Sequence, residues 1–235
     1  MLIFNIFDLK LVASTYAHPH VLLFLGGFII ASAMEACGLH KRIALNILSL
    51  SGTSPSKIIA GFMIATAFIS MWVSNTASTI MMLPIAVSVI TIFSNQPNIR
   101  NENFAIPLLL AIAYSASIGG ASTLIGTPTN IMLSSILSDS YNYEISFLDW
   151  LLIGLPVAIF LLPTVWFFLT NISFNVSKKK SNALEKTIQE MRGKIGSPSF
   201  TEKIVATVFF LTATFWVLRR SLNEIFNLNL NDTSI

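Results

Sequence analysis

The chain has 235 residues, of which 54% are hydrophobic and only 11% are charged. Soluble domains carry about 25% charged residues, so this composition excludes an ordinary soluble enzyme, a coiled coil and a disordered chain. The net charge of +3 comes from basic residues in short loops between apolar runs, a distribution typical of membrane proteins and not of nucleic-acid-binding proteins. With Cys37 as the single cysteine, a disulfide framework and a multi-cysteine metal site are also excluded. We therefore predict an all-α, multi-pass membrane protein.

The first half of the chain predicts one full span and one incomplete one. Residues 1–20 are interpreted as an extracytoplasmic loop, and residues 21–57 as a span followed by an amphipathic helix along the membrane interface. The apolar run 58–93 is too long for one span and short for two, and its middle is the polar cluster 74–79. Such a run favours a re-entrant hairpin, in which two half-helices meet at a polar tip against protein or a water-filled cavity. Two full crossings are the alternative, and the distribution of Lys and Arg between the loops favours the hairpin.

The second half of the chain contains another interrupted span. Residues 94–140 contain an overlong apolar run, 104–137, broken by Gly119-Gly120 and by Gly126-Thr127-Pro128, which predicts a discontinuous span unwound at its centre. Residues 148–170 are a further span, and 171–203 a cytoplasmic linker helix that contains the basic topology signal at 178–180. Residues 204–235 are the start of a last span and a polar tail.

The two polar breaks are the candidate functional site. Interrupted helices with Ser, Thr, Asn and Gly near the middle of a membrane are typical of transport proteins. Free amides at helix N-termini favour an anion, whereas freed carbonyls and hydroxyl oxygens suit a hard cation such as sodium. The simpler interpretation is that Ser and Thr bond the carbonyl four residues back and that small residues let helices pack closely. Two such clusters, each in an overlong run, favour the functional interpretation.

Three segments resemble one family of carriers. Ser74-Asn75-Thr76 within MWVSNTASTIMMLP, the motif IGGASTLIGTPTN and the segment FLGGFIIASAMEACGLHKRIAL are similar to the divalent-anion/sodium symporter (DASS, INDY-type) family. The resemblance covers nearly the whole chain in matching order. It implies a multi-pass inner or plasma membrane carrier of small divalent anions, driven by sodium and moving like an elevator. C4-dicarboxylates such as succinate are the expected substrates, with a homodimer when the protein is full length.

The resemblance also implies which residues bind. The residues implied to hold sodium are Ser70, Ser74, Asn75 and Gly126. The residues implied to hold the substrate are Asn75, Thr76, Thr127 and Pro128. Ser70 lies four residues before Ser74, so on one helix both would face the same ion. No cofactor, nucleic acid or metal other than sodium is expected, and no catalytic residue.

One departure from the family pattern limits these expectations. The family has two inverted repeats, each with a Ser-Asn-Thr tip, whereas only one such tip occurs here. We therefore expect the chain to be the first inverted repeat, truncated at both ends, and to hold half of the site. A non-transporting fragment or a split subunit is one alternative, and a related arsenite or proton-coupled permease is another. A membrane hydrolase with Ser74 as nucleophile is a third, although neither break contains a His or an acid to serve as its base.

Two other residues lie near these segments, and a structural interpretation is favoured for the first of them. Glu35 lies inside the first predicted span, within reach of Lys41, Arg42 or lipid headgroups. Trp72, beside the predicted hairpin tip, is as compatible with lining the site as with packing.

Overall fold

The structure, a computed structural model, describes residues 19–94, 104–178 and 182–235, and within them every regular element is a helix. The predicted all-α class is thereby confirmed. In chain order the helices are α1 (Pro19–Cys37), α2 (Leu39–Ser51), α3 (Pro55–Ser70), α4 (Asn75–Ser94), α5 (Ala105–Ala121), α6 (Pro128–Tyr141), α7 (Phe147–Phe167), α8 (Asn182–Ile195) and α9 (Phe200–Phe226). A π-helical turn, Phe168–Ser173, extends α7.

Some predicted segments fall partly outside the described residues. Of the predicted loop 1–20, only Pro19 and His20 are described, and they begin α1. Residues 95–103 of the segment 94–140 and residues 179–181 of the linker 171–203 also lie outside the described ranges.

Local sequence explains where the main helices begin. Gly38, at φ +79°, separates α1 from α2 in a backbone conformation that favours glycine. Ser146 caps α7 through a capping box with Asp149, and Ser199 caps α9 through the same arrangement with Glu202. The last helix therefore begins at Phe200, ahead of the apolar run that starts at residue 204.

Helix α3 forms the centre of the packing. It lies against α5 on one side and α2 on the other, while α8 covers α2 and α4. Ile58, Ile59 and Phe62 of α3 are fully buried, together with Ala44 and Leu48 of α2. A second, smaller core joins Leu23 of α1, Leu124 and Ile125, Phe147 of α7 and Trp216 of α9. Both interrupted segments are thus held from two sides by packed helices.

Three helices within the described ranges are long and apolar enough to cross a membrane: Pro19–Cys37, Phe147–Ser173 and Phe200–Phe226. On the second of these, Ile153 is 72% exposed and Phe160 is 71% exposed. Apolar side chains exposed on this scale require a non-aqueous covering, which a lipid bilayer supplies. The chain is a helical membrane protein.

Ion pairs join distant parts of the chain at the helix ends. Arg42 of α2 donates two hydrogen bonds to Glu202 of α9, from Nη2 to Oε2 at 2.9 Å and from Nε to Oε1 at 3.2 Å. Arg219 lies 3.0 Å from Asp232 in the polar tail, and Arg220 lies 2.7 Å from Asp149. Burial raises the pKa of Asp232 despite the neighbouring Arg219 and the Phe147 amide, which donates to this carboxylate.

Candidate functional site

Two helix interruptions lie side by side in the molecule. Helix α3 ends at Ser70 and α4 begins at Asn75, after a turn over residues 71–74. Helix α5 ends at Ala121 and α6 begins at Pro128, after a non-helical stretch over residues 122–127. We call these the first and the second break.

Each break ends where its sequence can start a new helix. Ser74 precedes α4, and its Oγ accepts a hydrogen bond from the Ala77 amide at 3.3 Å, as an N-cap does. Thr127 precedes α6 in an extended conformation, and Pro128 occupies the first helical position, where its missing N–H costs nothing. The other end of each break leaves carbonyl groups of α3 and α5 without helical partners.

Ser70 connects the first break to α5. Its Oγ lies 2.8 Å from Asn75 Oδ1 and 2.7 Å from the Ala116 carbonyl oxygen. A hydroxyl carries one proton and satisfies only one of these two acceptors at a time. With the Asn75 amide oxygen facing Ser70, either this oxygen or the Ala116 carbonyl oxygen is left for a cation or for another donor. Ser70 is fully buried, and Asn75 is half-buried.

Glycines allow the two breaks to approach at backbone distance. A Cβ added at Gly120 would lie 1.9 Å from Asn75 Oδ1. A Cβ added at Gly126 would lie 2.5 Å from the Gly120 carbonyl oxygen and 3.0 Å from that of Ser70. The atoms closest to Gly126 are backbone, so no side chain fits there, whereas the atoms closest to Gly120 belong to the Asn75 side chain. The carbonyl oxygens of Gly120 and Ser70 therefore lie beside Gly126, and Asn75 Oδ1 lies beside Gly120.

This arrangement is rich in oxygen and has no formal charge. Uncharged carbonyl, amide and hydroxyl oxygens are ligands for a hard cation such as sodium. They also spare the site the cost of a buried carboxylate when no ion is bound. Among the residues the structure describes, no cluster of three or more His, Cys, Asp or Glu side chains could hold a metal ion.

Two helix N-termini begin beside these oxygens. Asn75 and Thr76 open α4, and Thr76 is exposed. Thr127 and Pro128 open α6, where Thr127 Oγ1 lies 3.3 Å from Thr129 Oγ1 at an exposed position. Helix N-termini carry partial positive charge and free amides, which bind carboxylates. Groups suited to a cation and groups suited to an anion thus occur next to each other.

The structure brings most of the predicted site residues together and corrects one geometric argument. Ser70, Asn75 and Gly126 converge around Gly120, and Ser74, Thr76, Thr127 and Pro128 adjoin them in sequence at the two N-termini. The expectation that Ser70 and Ser74 face one ion from successive turns of one helix is wrong. Helix α3 ends at Ser70, and Ser74 caps the next helix instead.

Sequence reasoning missed two residues that hold the breaks in place. Thr123 is fully buried, and its hydroxyl donates to the Met71 carbonyl oxygen. Asn130 Nδ2 donates to the carbonyl oxygens of Thr123 at 2.7 Å and Gly120 at 3.1 Å. Both residues lie within the motif IGGASTLIGTPTN, but their partners become visible only when the chain is folded.

The Trp72 side chain packs against aromatic rings of other helices. Its ring stacks on Phe147 with centroids 6.0 Å apart and meets Phe209 edge-on at 4.7 Å. These contacts connect the first break to α7 and α9.

Comparison with known proteins agrees with this architecture. Apolar helices long enough to cross a membrane, together with paired uncharged breaks, are typical of helical membrane transporters. The chain belongs to the citrate transporter family: the family model CitMHS, "Citrate transporter", matches residues 1–230. The resemblance to sodium/anion carriers inferred from the motifs is thereby confirmed.

The chain is also similar to curated transporters from Staphylococcus aureus. It is 41% identical over 218 residues to the sodium-dependent dicarboxylate transporter SdcS of strain USA300. It is 40% identical to the proteins of the same name in strains NCTC 8325 / PS 47 and bovine RF122 / ET3-1. The matches cover 90% of this chain, which spans 42% of the length of these relatives.

Proposed function

We propose that this chain forms the sodium-binding half of the site of a secondary carrier for small dicarboxylates. The observation that carries the proposal is the close approach of uncharged oxygens from two helix breaks beside Gly120 and Gly126. Ser70, Ser74, Asn75 and Gly126 are the proposed sodium ligands. Sodium is the coupling ion, and no further cofactor is required.

The substrate half of the proposal rests on the two helix N-termini. Asn75 and Thr76 at α4 and Thr127 and Pro128 at α6 are the proposed contacts to a substrate carboxylate. A sodium ion bound beside them attracts an arriving dianion across a site of low dielectric constant, so sodium binds first. The relatives' names specify dicarboxylates, and we propose C4-dicarboxylates such as succinate.

The first arm of each interrupted segment is shorter than a full span. Helix α3 has 16 residues and α5 has 17. At about 1.5 Å per residue they are about 24 and 26 Å long, short of the roughly 30 Å hydrocarbon core. We propose that both breaks lie inside the bilayer, with residues 58–93 as a hairpin and 94–140 as an unwound span. A plasma membrane location, a homodimer and elevator movement complete the proposal for the full-length protein.

The proposal involves no covalent step and no catalytic residue. The Ser74 hydroxyl, the candidate nucleophile of the hydrolase alternative, is used to cap α4. The two break motifs supply no His or acid that could remove its proton.

Uptake of labelled succinate tests the function in membranes that contain the full-length protein. Uptake driven by a sodium gradient, lost in Asn75→Ala and kept in Asn46→Ala, is the expected result. Asn46 lies on α2, outside both breaks, and serves as the matched control. Sodium-driven uptake that survives in Asn75→Ala contradicts the site. Uptake that a proton gradient drives equally well without sodium supports the proton-coupled permease instead.

A further inference from the structure

One buried hydroxyl joins the two breaks directly. Thr123 Oγ1 donates to the Met71 carbonyl oxygen in the first break and accepts from the Gly126 amide at 3.1 Å in the second. The residue is 0% exposed, so water cannot replace either bond. A single side chain thus fixes the backbone of the turn beside Ser70 relative to the backbone of Gly126.

Asn130 forms a hydrogen bond with the backbone of Thr123. Its Nδ2 donates to the Thr123 carbonyl oxygen at 2.7 Å, and Asn130 is itself only 8% exposed. The same amide also reaches the Gly120 carbonyl oxygen at 3.1 Å. Thr123 is therefore anchored at both its hydroxyl and its carbonyl.

The consequence concerns the state without an ion. The carbonyl oxygens of Ser70 and Gly120, both beside Gly126, carry like partial charges and repel one another when no cation lies between them. A link that keeps them close beforehand saves the ion the cost of assembling its own site, which is the general benefit of preorganisation. Without the link the two breaks can separate when sodium is absent, and binding sodium must then draw them together.

We propose that Thr123 is a positioning residue for the coupling ion, holding the Gly126 and Ser70 backbones together before sodium arrives. The inference rests on the proposed function, because it assumes that these oxygens bind sodium. Thr123 itself is not a ligand in this account, since its hydroxyl already uses its proton on Met71 and accepts from Gly126.

The test is a sodium titration of the purified chain, read as the rise in unfolding temperature against choline chloride at equal ionic strength. Thr123→Val keeps the shape and removes the hydroxyl, whereas Thr123→Ser keeps the hydroxyl. We expect Val to raise the half-saturating sodium concentration about tenfold, because a buried hydrogen bond is lost. Ser should stay within about twofold of the parent chain because the link is kept.

The matched control is Thr66→Val in α3. Thr66 is also 0% exposed, and within the described part of the chain its Oγ1 has no hydrogen-bond partner. Removing this hydroxyl should leave the half-saturating sodium concentration unchanged. If Thr123→Val does not fold, Thr123→Cys tests the same link, because a thiol is a weak donor and should give an intermediate rise.

The outcomes separate this inference from the proposed function. No sodium-specific stabilisation of the parent chain overturns the proposed function and the inference with it. Sodium-specific stabilisation that is the same in the parent chain and in Thr123→Val overturns the inference alone. Equal losses of sodium affinity in Thr66→Val and Thr123→Val also overturn it, because they show a general effect of removing buried hydroxyls.

Discussion

Two adjacent glycines should separate the stability of the fold from the binding of sodium. A Cβ at Gly119 would lie 2.2 Å from the Ala67 carbonyl oxygen and 2.6 Å from the Ala67 Cα. Because real Cβ contacts essentially never fall below 3.0 Å, α3 and α5 must move apart by about 0.8 Å, the difference between 3.0 and 2.2 Å. These atoms belong to the backbone of the central helix and cannot rotate away.

The expected cost of Gly119→Ala follows from two opposing effects. Overpacking of this kind costs about 1–3 kcal/mol, and a contact with backbone belongs at the upper end. Alanine in place of glycine in a helix returns at most about 1 kcal/mol. We therefore expect a net loss of about 2 kcal/mol in the free energy of unfolding.

Gly120→Ala should act differently because its neighbour is a side chain. The new Cβ would lie 1.9 Å from Asn75 Oδ1, and the amide can turn away. Losing the contact between Ser70 and Asn75 costs about 1 kcal/mol, which the higher helix propensity of alanine offsets. The stability should change little, while a sodium ligand is displaced and sodium binding is lost.

Unfolding of the purified variants in detergent, followed by circular dichroism with and without sodium, measures both effects. Gly26→Ala in α1 is the control, since nothing lies within 4 Å of its added Cβ. It should leave sodium binding intact and the stability equal or slightly higher. A Gly119→Ala variant as stable as the parent chain, or a Gly120→Ala variant with unaltered sodium affinity, would refute this reasoning.

Two further predictions concern charge. Sodium affinity in the absence of substrate should not change between about pH 6 and pH 8, because the proposed ligands include no group that titrates there. A tenfold change in the half-saturating sodium concentration between sodium titrations at the two pH values would contradict the ligand set. Glu202→Gln should lower the unfolding temperature, because Arg42 loses its charged partner and one of its two acceptor oxygens on that side chain, keeping at most an amide oxygen and the Gly196 carbonyl oxygen at 2.9 Å. A Glu202→Gln variant as stable as the parent chain would show that the Arg42–Glu202 ion pair contributes nothing to stability.

The sequence identified both breaks because their residues disfavour a continuous helix or start a new one. Ser74 is a good N-cap, and Pro128 after Thr127 suits the first position of a helix. The family motifs then singled out Ser70, Asn75 and Gly126, which the fold does bring together. Re-entrance of the hairpin stays a prediction, because it concerns a membrane and not the chain alone.

Contacts between distant residues could not be read from local patterns. The end of α3 at Ser70 invalidated the one-helix geometry assumed for Ser70 and Ser74, since a four-residue spacing indicates one face only where the helix continues. Arg42 forms its ion pair with Glu202, 160 residues away in sequence, and not with the nearby Glu35. The role of Thr123 depends on the backbone of Met71, and no spacing rule relates a side chain to a carbonyl 52 residues away.

The most direct test of the central claim is binding of radioactive sodium to the purified chain in a scintillation proximity assay. The two breaks predict saturable binding that excess unlabelled sodium displaces, that choline leaves unchanged and that Ser70→Ala abolishes. Binding that choline displaces as well as sodium does, or that Ser70→Ala leaves intact, would contradict a sodium site built from these oxygens.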